Sequence, residues 1–577
     1  MASITSLLGC ANPCRIATVP STPTRPSIQP HFKTLCCRAT NDKIENNHPR
    51  ESVGILPRRD LIIGLGGLYG TATGLGANRL AVASPIQAPD LTKCGPADIP
   101  SGGKPTNCCP PISSTIVDFT PPRHEPLRVR PPAHLVDDEY LAKYKKAVEL
   151  MKALPADDPR NFTQQANVHC AYCDGAYDQV GFPNLELQVH NSWLFFPFHR
   201  FYLYFHERIL GKLIGDDNFA IPFWNWDAPD GMQLPAIYNE KSSSLYNERR
   251  DPKHLPPTIV DLDNNTNSTL TKDQLIEDNL KIMYRQMVSN GKTAELFMGA
   301  PYRAGDEPGP GSGSLELIPH GTVHIWTGDS RQPNREDMGV FYSAARDPIF
   351  FAHHSNVDRL WSVWKTLGGK RRDFTDGDWL DTTFLFYDEN AQLVRVRVRD
   401  CLKTETLGYK YQELDIPWIK SRRSPKAAPN RLLTRKLEVR EPVFPVTLEK
   451  PVTATVKRPK KGRNKREKEE EEEVLVVEGI QFERNSYIKF DVFINSSEVG
   501  RLRPSESEFA GSFVNVPHKH GHSKKHATLK TNLRLGITDL LEELGAEEDD
   551  SVKVTLVPRT ENSNKVKVTG LRIEFSS

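Results

Sequence analysis

The chain lacks several things that would otherwise suggest a function. It has almost no net charge: 75 Lys and Arg against 73 Asp and Glu leave a formal +2 over 577 residues, which argues against a nucleic-acid partner held by a basic face. Its ten cysteines form no four-Cys or paired-Cys, paired-His pattern, which disfavours structural zinc. Acidic residues are missing from Met1 to Thr40, a stretch rich in Ser, Thr and Pro. That is the composition of a chloroplast transit peptide, assigned to residues 1–50. An unbroken apolar run long enough to span a bilayer is also missing. Leu61 to Val82 comes nearest, but it is Gly-rich and interrupted by Asn78 and Arg79, so no stable membrane span is expected. Arg58 and Arg59 before that run, and Ala81-Val82-Ala83 at its end, make residues 51–83 a twin-Arg thylakoid-transfer segment. Together the two signals predict a thylakoid-lumen protein whose mature chain starts near Ser84 or Ala88.

What the chain does contain is histidine in two concentrated stretches. The first reads VHCAYCDGAY and then LQVHNSWLFFPFHRFYLYFHE, offering His169, His190 and His199. The second reads ELIPHGTVHIWTG and then RDPIFFAHHSNVDRLW. Here His320 and His324 lie one turn apart on a helix face, so both imidazoles can reach one ion; either His353 or His354 could complete a second set of three. Two three-histidine clusters from only 17 His are a strong pattern, and imidazole sets without carboxylates suit copper. His206, seven residues beyond His199, is expected to be a packed histidine.

HCAYC, FFPFHR, HxxxHxW and DPIFFAHHxNVDRLW resemble the plant polyphenol oxidases, the type-3 dicopper enzymes also called catechol oxidases or tyrosinases, over nearly the whole chain. The resemblance implies two copper ions, one held by His169, His190 and His199 and the other by His320, His324 and His354. It further implies disulfides Cys94–Cys109 and Cys108–Cys170 and a thioether between Cys173 and the His190 ring, and leaves Cys401 as a free thiol. Glu316 matches a glutamate that positions a water, and Phe341 matches a bulky gate over the second copper. Gly321 and Ile325, each following a ligand of that copper, stand where several hydroxylating relatives carry Asn after the first ligand. Glycine there cannot hold the water, so phenol hydroxylation is expected to be weak. Asp358 and Arg359 could form an ion pair, or Asp358 could orient a ligand imidazole.

The expected fold is mainly α: a four-helix-bundle dicopper domain over 84–420, a linker over 421–444 and a C-terminal β-sandwich over 445–577 that keeps the enzyme latent until a protease removes it. Helices are predicted over Asp137 to Ala153, Phe198 to Leu213, Thr271 to Ser289 and Pro348 to Leu367. Leu91 to Pro132 reads as an extended arm, and period-two segments from Pro445 onward read as strands. PHKHGHSKKH, with His518, His520, His522 and His526, is expected to be an exposed loop. The basic block Lys457 to Lys468 running into Glu469 to Glu473 is expected to be solvated. The implied activity is oxidation of o-diphenols to o-quinones with reduction of dioxygen to water, with small phenols and dioxygen as the molecules handled. Paired Cu(I) ions supply two electrons at once to dioxygen. The alternatives are a tyrosinase-type hydroxylase, a tailoring phenol oxidase, or, in a different class, an oxygen carrier.

Overall fold

The computed structural model describes residues 84–122, 127–265, 269–422, 441–496, 503–518 and 528–577. The transit and twin-Arg segments, and the linker from 423 to 440, lie outside these. Among the described residues no helix is long and apolar enough to cross a membrane.

The first part is helical, and six of its helices bear on the site. Helix α1 (Asp138–Ala153) is capped by Asp137, whose carboxylate accepts from the Tyr140 amide, and buries Tyr144, Ala147, Val148 and Met151 at helical spacing. Asn161 caps α2 (Phe162–Cys173). Helix α3 (Phe195–Ile214) is apolar on nearly every side and is stopped by Gly215 at φ 66°; a helix apolar all round belongs inside a protein. Helix α4 (Lys272–Tyr284) starts with a Thr271/Gln274 capping box and runs on as a π turn over Arg285–Ser289. Helix α5 (Thr322–Thr327) follows a wide turn, Glu316–Gly321, that is kinked at Ile318. Pro319 lies beyond that kink, so Glu316 approaches from before the ligand helix, as the sequence suggested. Helix α6 (Ile349–Thr366) completes the set.

The N-terminal arm is stapled down by disulfides Cys94–Cys109 and Cys108–Cys170, the second landing on α2. Further on, Arg128–Arg130 pairs in parallel with Tyr409–Tyr411. This brings two arginines onto Glu207 of α3, at 3.0 Å from Arg128 Nε and 2.7 Å from Arg130 Nε. Asp358 of α6 accepts from Arg200 Nε at 2.5 Å and from the Tyr409 and Tyr411 hydroxyls at 2.6 and 2.5 Å. Asp358 therefore binds Arg200 and the tyrosines rather than a ligand imidazole, and Arg359 pairs with Asp227. Two buried arginines and two hydroxyls satisfy this carboxylate, so one node fixes α3 against α6.

The C-terminal part is β-rich. Strands β1 (Val446–Thr447), β3 (Glu472–Glu483), β6 (Thr528–Gly536), β8 (Lys567–Val568) and β9 (Gly570–Ser576) form one sheet; β2 (Val452–Lys457), β4 (Ile488–Ile494), β5 (Phe509–Asn515) and β7 (Ser551–Pro558) form another. Leu475, Val477 and Leu533 of the first share a buried cluster with Phe490, Val492 and Leu556 of the second. The acidic run departs from expectation at its end. Glu469 to Glu471 are exposed, but β3 begins at Glu472, and Glu472 and Glu473 are buried. They survive burial because Lys292 pairs with Glu472 at 3.2 Å and Arg458 with Glu473 at 2.7 Å.

Arg200→Met should leave Asp358 short of its nearest cation inside the core and cost about 3–5 kcal/mol. Urea unfolding of the full chain would register this; a loss below ~1 kcal/mol would mean that the node does not hold α3 to α6.

Candidate metal centre

Helices α2, α3 and α6, the kinked turn with α5, and the segment before α3 each deliver histidines to one place. His169 comes from α2, His199 from α3 and His190 from the segment between them, with ring centroids 5.1 to 5.7 Å apart. His320 from the kinked turn, His324 from α5 and His354 from α6 are separated by 4.7 to 5.3 Å. The two sets touch: the His199 and His354 rings stack at 4.2 Å, and His190 and His320 lie 6.0 Å apart.

Four of the six rings are aimed by a backbone carbonyl. The Nδ1 atoms of His169, His199, His320 and His324 contact the carbonyl oxygens of Phe341, Phe195, Glu316 and Met338 at 2.8 to 2.9 Å. A carbonyl only accepts, so Nδ1 carries the proton and Nε2 keeps its lone pair. The Nε2 atoms of His169, His199 and His320 are buried without a protein partner. His324 Nε2 and His354 Nε2 stand 3.1 Å apart, close to the separation of two nitrogens each about 2.0–2.1 Å from one ion. Burial keeps these imidazoles neutral, lowering His199 to about 3 and His324 to about 4, the state in which imidazole binds metal. The donor set is therefore suited to copper: neutral nitrogens, no carboxylate among them, and lone pairs with no other use.

His353 lies 4.9 Å from His324, so proximity alone does not separate it from His354. Its Nδ1 receives the Trp226 indole N–H at 3.1 Å. An accepting Nδ1 in a neutral ring places the proton on Nε2 and removes the lone pair from that side. His206 is packed face to face with Phe351 at 3.5 Å, as expected. Cys173 is a free, buried thiol grouped with His169 and His190 within ligand distance, and Cys401 is also free and buried. Ile325 is fully buried.

Two features without a sequence signal complete the surroundings. Asn191, directly after His190, adopts φ 57°, and its amide donates to Glu316 Oε1 at 2.6 Å. Burial pushes Glu316 up to about 8 against the pull of the Asn191 and Gly313 amides, and its Oε2 has no partner. The other feature is the end of β5. A Cβ added at Gly321 would lie 3.3 Å from Val514 and 3.4 Å from Val516. The Phe341 ring stacks on His190 at 4.2 Å and on His518 at 4.9 Å and lies 5.7 Å from His169, so it covers the first histidine set rather than the second, where it was expected; its amide donates to the Pro517 carbonyl at 3.4 Å. His518 is buried, contrary to the exposed loop expected from its Lys- and Gly-rich neighbours; His520, His522 and His526 lie outside the described residues. The C-terminal part thus closes over the histidines.

Comparison with known proteins agrees with this arrangement. Residues 159–367 match the common central domain of tyrosinase, 373–424 the polyphenol oxidase middle domain, and 444–575 the chloroplastic polyphenol oxidase C-terminal domain. The chain is 59% identical to a chloroplastic polyphenol oxidase of Malus domestica, over 94% of this chain and 93% of that one. The chain belongs to the plant polyphenol oxidase family. Aureusidin synthase of Antirrhinum majus, another polyphenol oxidase relative, is 53% identical over 95% of this chain and 99% of its own. The solved structure of latent apple tyrosinase superimposes with a TM-score of 0.76 at 61% identity, covering 80% of this chain and 100% of that one. As a polyphenol oxidase, the chain has a helical core with a C-terminal domain, and its histidine clusters can hold two copper ions.

The backbone at Gly321 is helical, at φ −62°, so a side chain is sterically allowed there except for the two valines. Gly321→Leu should push the end of β5 outward and speed limited proteolysis between the domains severalfold, with copper content retained. An unchanged cleavage rate would show that Val514 and Val516 do not press on this site.

Proposed function

We propose that the chain is a latent o-diphenol oxidase that converts catechols to o-quinones with reduction of dioxygen to water. The observation that carries this reading is the convergence of six buried, neutral imidazoles, four of them with the Nε2 lone pair turned inward by a carbonyl on Nδ1, beside the buried Glu316 carboxyl. In the proposed assignment His169, His190 and His199 hold one copper and His320, His324 and His354 the other. His353 serves as a packed neighbour of the second. A Cys173–His190 thioether would fix the His190 ring, which among the six is the one with neither nitrogen bonded. The copper pair, when bound, supplies electron transfer between a phenol and dioxygen.

The remaining roles belong to the chain itself. Glu316 Oε1 is occupied by the Asn191 amide and Oε2 has no partner, so Oε2 is the atom that accepts the phenol proton, and a carboxyl near 8 suits a base working near neutral pH. Phe341 stacks across the mouth and orients an aromatic ring over the histidines. Gly321 offers neither a donor nor an acceptor to a second side of a water at Glu316, which favours ready-made o-diphenols over monophenols. The relationship to aureusidin synthase supports a tailoring oxidase of plant phenolics as the second reading. The helices form a four-helix bundle around the metals, and the two C-terminal sheets form a sandwich that shields them. In this reading a protease releases the shield. The transit and twin-Arg signals support delivery to the thylakoid lumen, and relatives are named chloroplastic.

Two outcomes test this reading. His354→Gln should lose one of two coppers per chain by elemental analysis while His353→Gln keeps both; the reverse would exchange their roles. Copper-loaded protein opened by limited proteolysis should form quinone from 4-methylcatechol at once and from tyramine only slowly or after a lag. Prompt quinone from tyramine would favour the hydroxylase, and none from either would favour an oxygen carrier.

A further inference from the structure

The shield meets the rim of the metal centre with cations, and the rim answers with carboxylates. Lys489 of β4 and Val514 of β5 are directly opposed in the antiparallel pair, so their side chains leave the sheet on the same face, with Cβ atoms about 5 Å apart. Val514 is the residue that closes on Gly321. Lys489 Nζ reaches Asp263 of the helical core at 2.8 Å, with both side chains at least nine-tenths buried. Asp263 adjoins Leu262, whose carbonyl accepts from the Thr322 hydroxyl at 2.6 Å; Thr322 begins the helix of His324. Nearby, Arg503 of the shield reaches Asp278 of α4 at 2.5 Å, and Asp261, Asp263 and Asp278 line one small cavity with Arg503. Arg484, in the turn between β3 and β4, reaches Glu186 at 3.4 Å, and its carbonyl accepts from the His518 amide.

An apolar tip over the histidines, with an ammonium beside it on a core carboxylate, has the outline of an aromatic ring with a cationic arm. When the shield leaves, Lys489 and Arg503 leave with it. Asp263 and Asp278 then face water at the rim, beside Asp261. Arg335, within electrostatic reach of Tyr487, is a core cation on this flank. The core cations that the shield also covers, Arg285 and Lys292, meet Glu543, Glu472 and Asp539. That contact is near Asn290 and Ala510, at the opposite end of β5 and about 13 Å along the strand from Val514.

We propose that the opened enzyme selects phenols bearing a cationic side arm over those bearing a carboxylate, with Asp263 the main specificity-determining residue and Asp278 supporting it. This rests on the oxidase reading above and adds the substrate class. Charge at a partly desolvated rim changes encounter and binding of charged substrates, and salt weakens it.

The test uses copper-loaded full chain opened by limited proteolysis, with dopamine, 3,4-dihydroxyphenylacetate and neutral 4-methylcatechol as substrates. At low salt kcat/KM should favour dopamine over dihydroxyphenylacetate by roughly tenfold, and 0.5 M NaCl should shrink that ratio. Asp263→Asn should lower the ratio at least threefold by raising the KM for dopamine and lowering that for the acid; Asp278→Asn should move it the same way by less. Inhibition by phenethylamine and phenylacetate, which cannot be oxidised as catechols, should show the same order and the same response to both substitutions. A ratio near one, or one unmoved by both substitutions while 4-methylcatechol is oxidised, overturns this inference and leaves the oxidase reading intact. Absence of quinone from 4-methylcatechol instead removes the oxidase reading, and the two inhibitors' relative binding to copper-loaded protein then decides the charge preference by itself.

Discussion

Everything in this fold serves the need to hold six imidazoles neutral, rigid and facing inward inside a dry core. Burial lowers their basicity, which keeps the lone pairs available, but leaves unpaired nitrogens that are costly without a metal. The chain meets the orientation requirement with backbone. His199 and His320 are aimed by carbonyls four residues back in their own segments, and His169 and His324 by carbonyls 172 and 14 residues away. The same metal centre depends on the spacing of α3 and α6, fixed by Arg200, Asp358 and the two tyrosines. Those groups touch none of the six imidazoles, yet they join α3, which carries His199, to α6, which carries His354.

The shield is attached in a different way. Its core is apolar, but it meets the helical part through ion pairs at Glu186, Asp263, Asp278, Arg285, Lys292 and Glu295, with the valines and His518 supplying apolar contact at the mouth. Ion pairs removed from water cost about as much as they return, so these pairs give registration more than strength, beside apolar contacts such as Leu296 with Val474 and Val476. That suits a part that sits over the histidines and, in the proposed reading, is later removed. It also leaves charge of defined sign on the rim it uncovers.

Much of this was legible in the sequence because metal ligation imposes spacing. His320 and His324 must be four apart on a helix, and FFPFHR announces a buried helix with its proline in the first turn. The choice between His353 and His354 was not legible from spacing. Adjacent helical residues differ only in direction, and the contact on which the proposed choice rests is the Trp226 indole on His353, 127 residues upstream. His518 was misread because its neighbours are polar and basic, while its burial depends on Phe341, distant in the chain. Glu472 and Glu473 were misread for the related reason that Lys292 and Arg458, which neutralise them, are revealed only by folding. Asn191 carried no local signal beyond its position after a ligand, since its left-handed backbone and its bond to Glu316 are consequences of tertiary structure.

The account stands on two copper ions close enough to act as one centre. Electron paramagnetic resonance of the oxidised, copper-loaded full chain addresses this directly. Two coppers per chain with little or no signal, because neighbouring Cu(II) spins cancel, is the predicted result. Two coppers giving the full signal of isolated Cu(II) would contradict it.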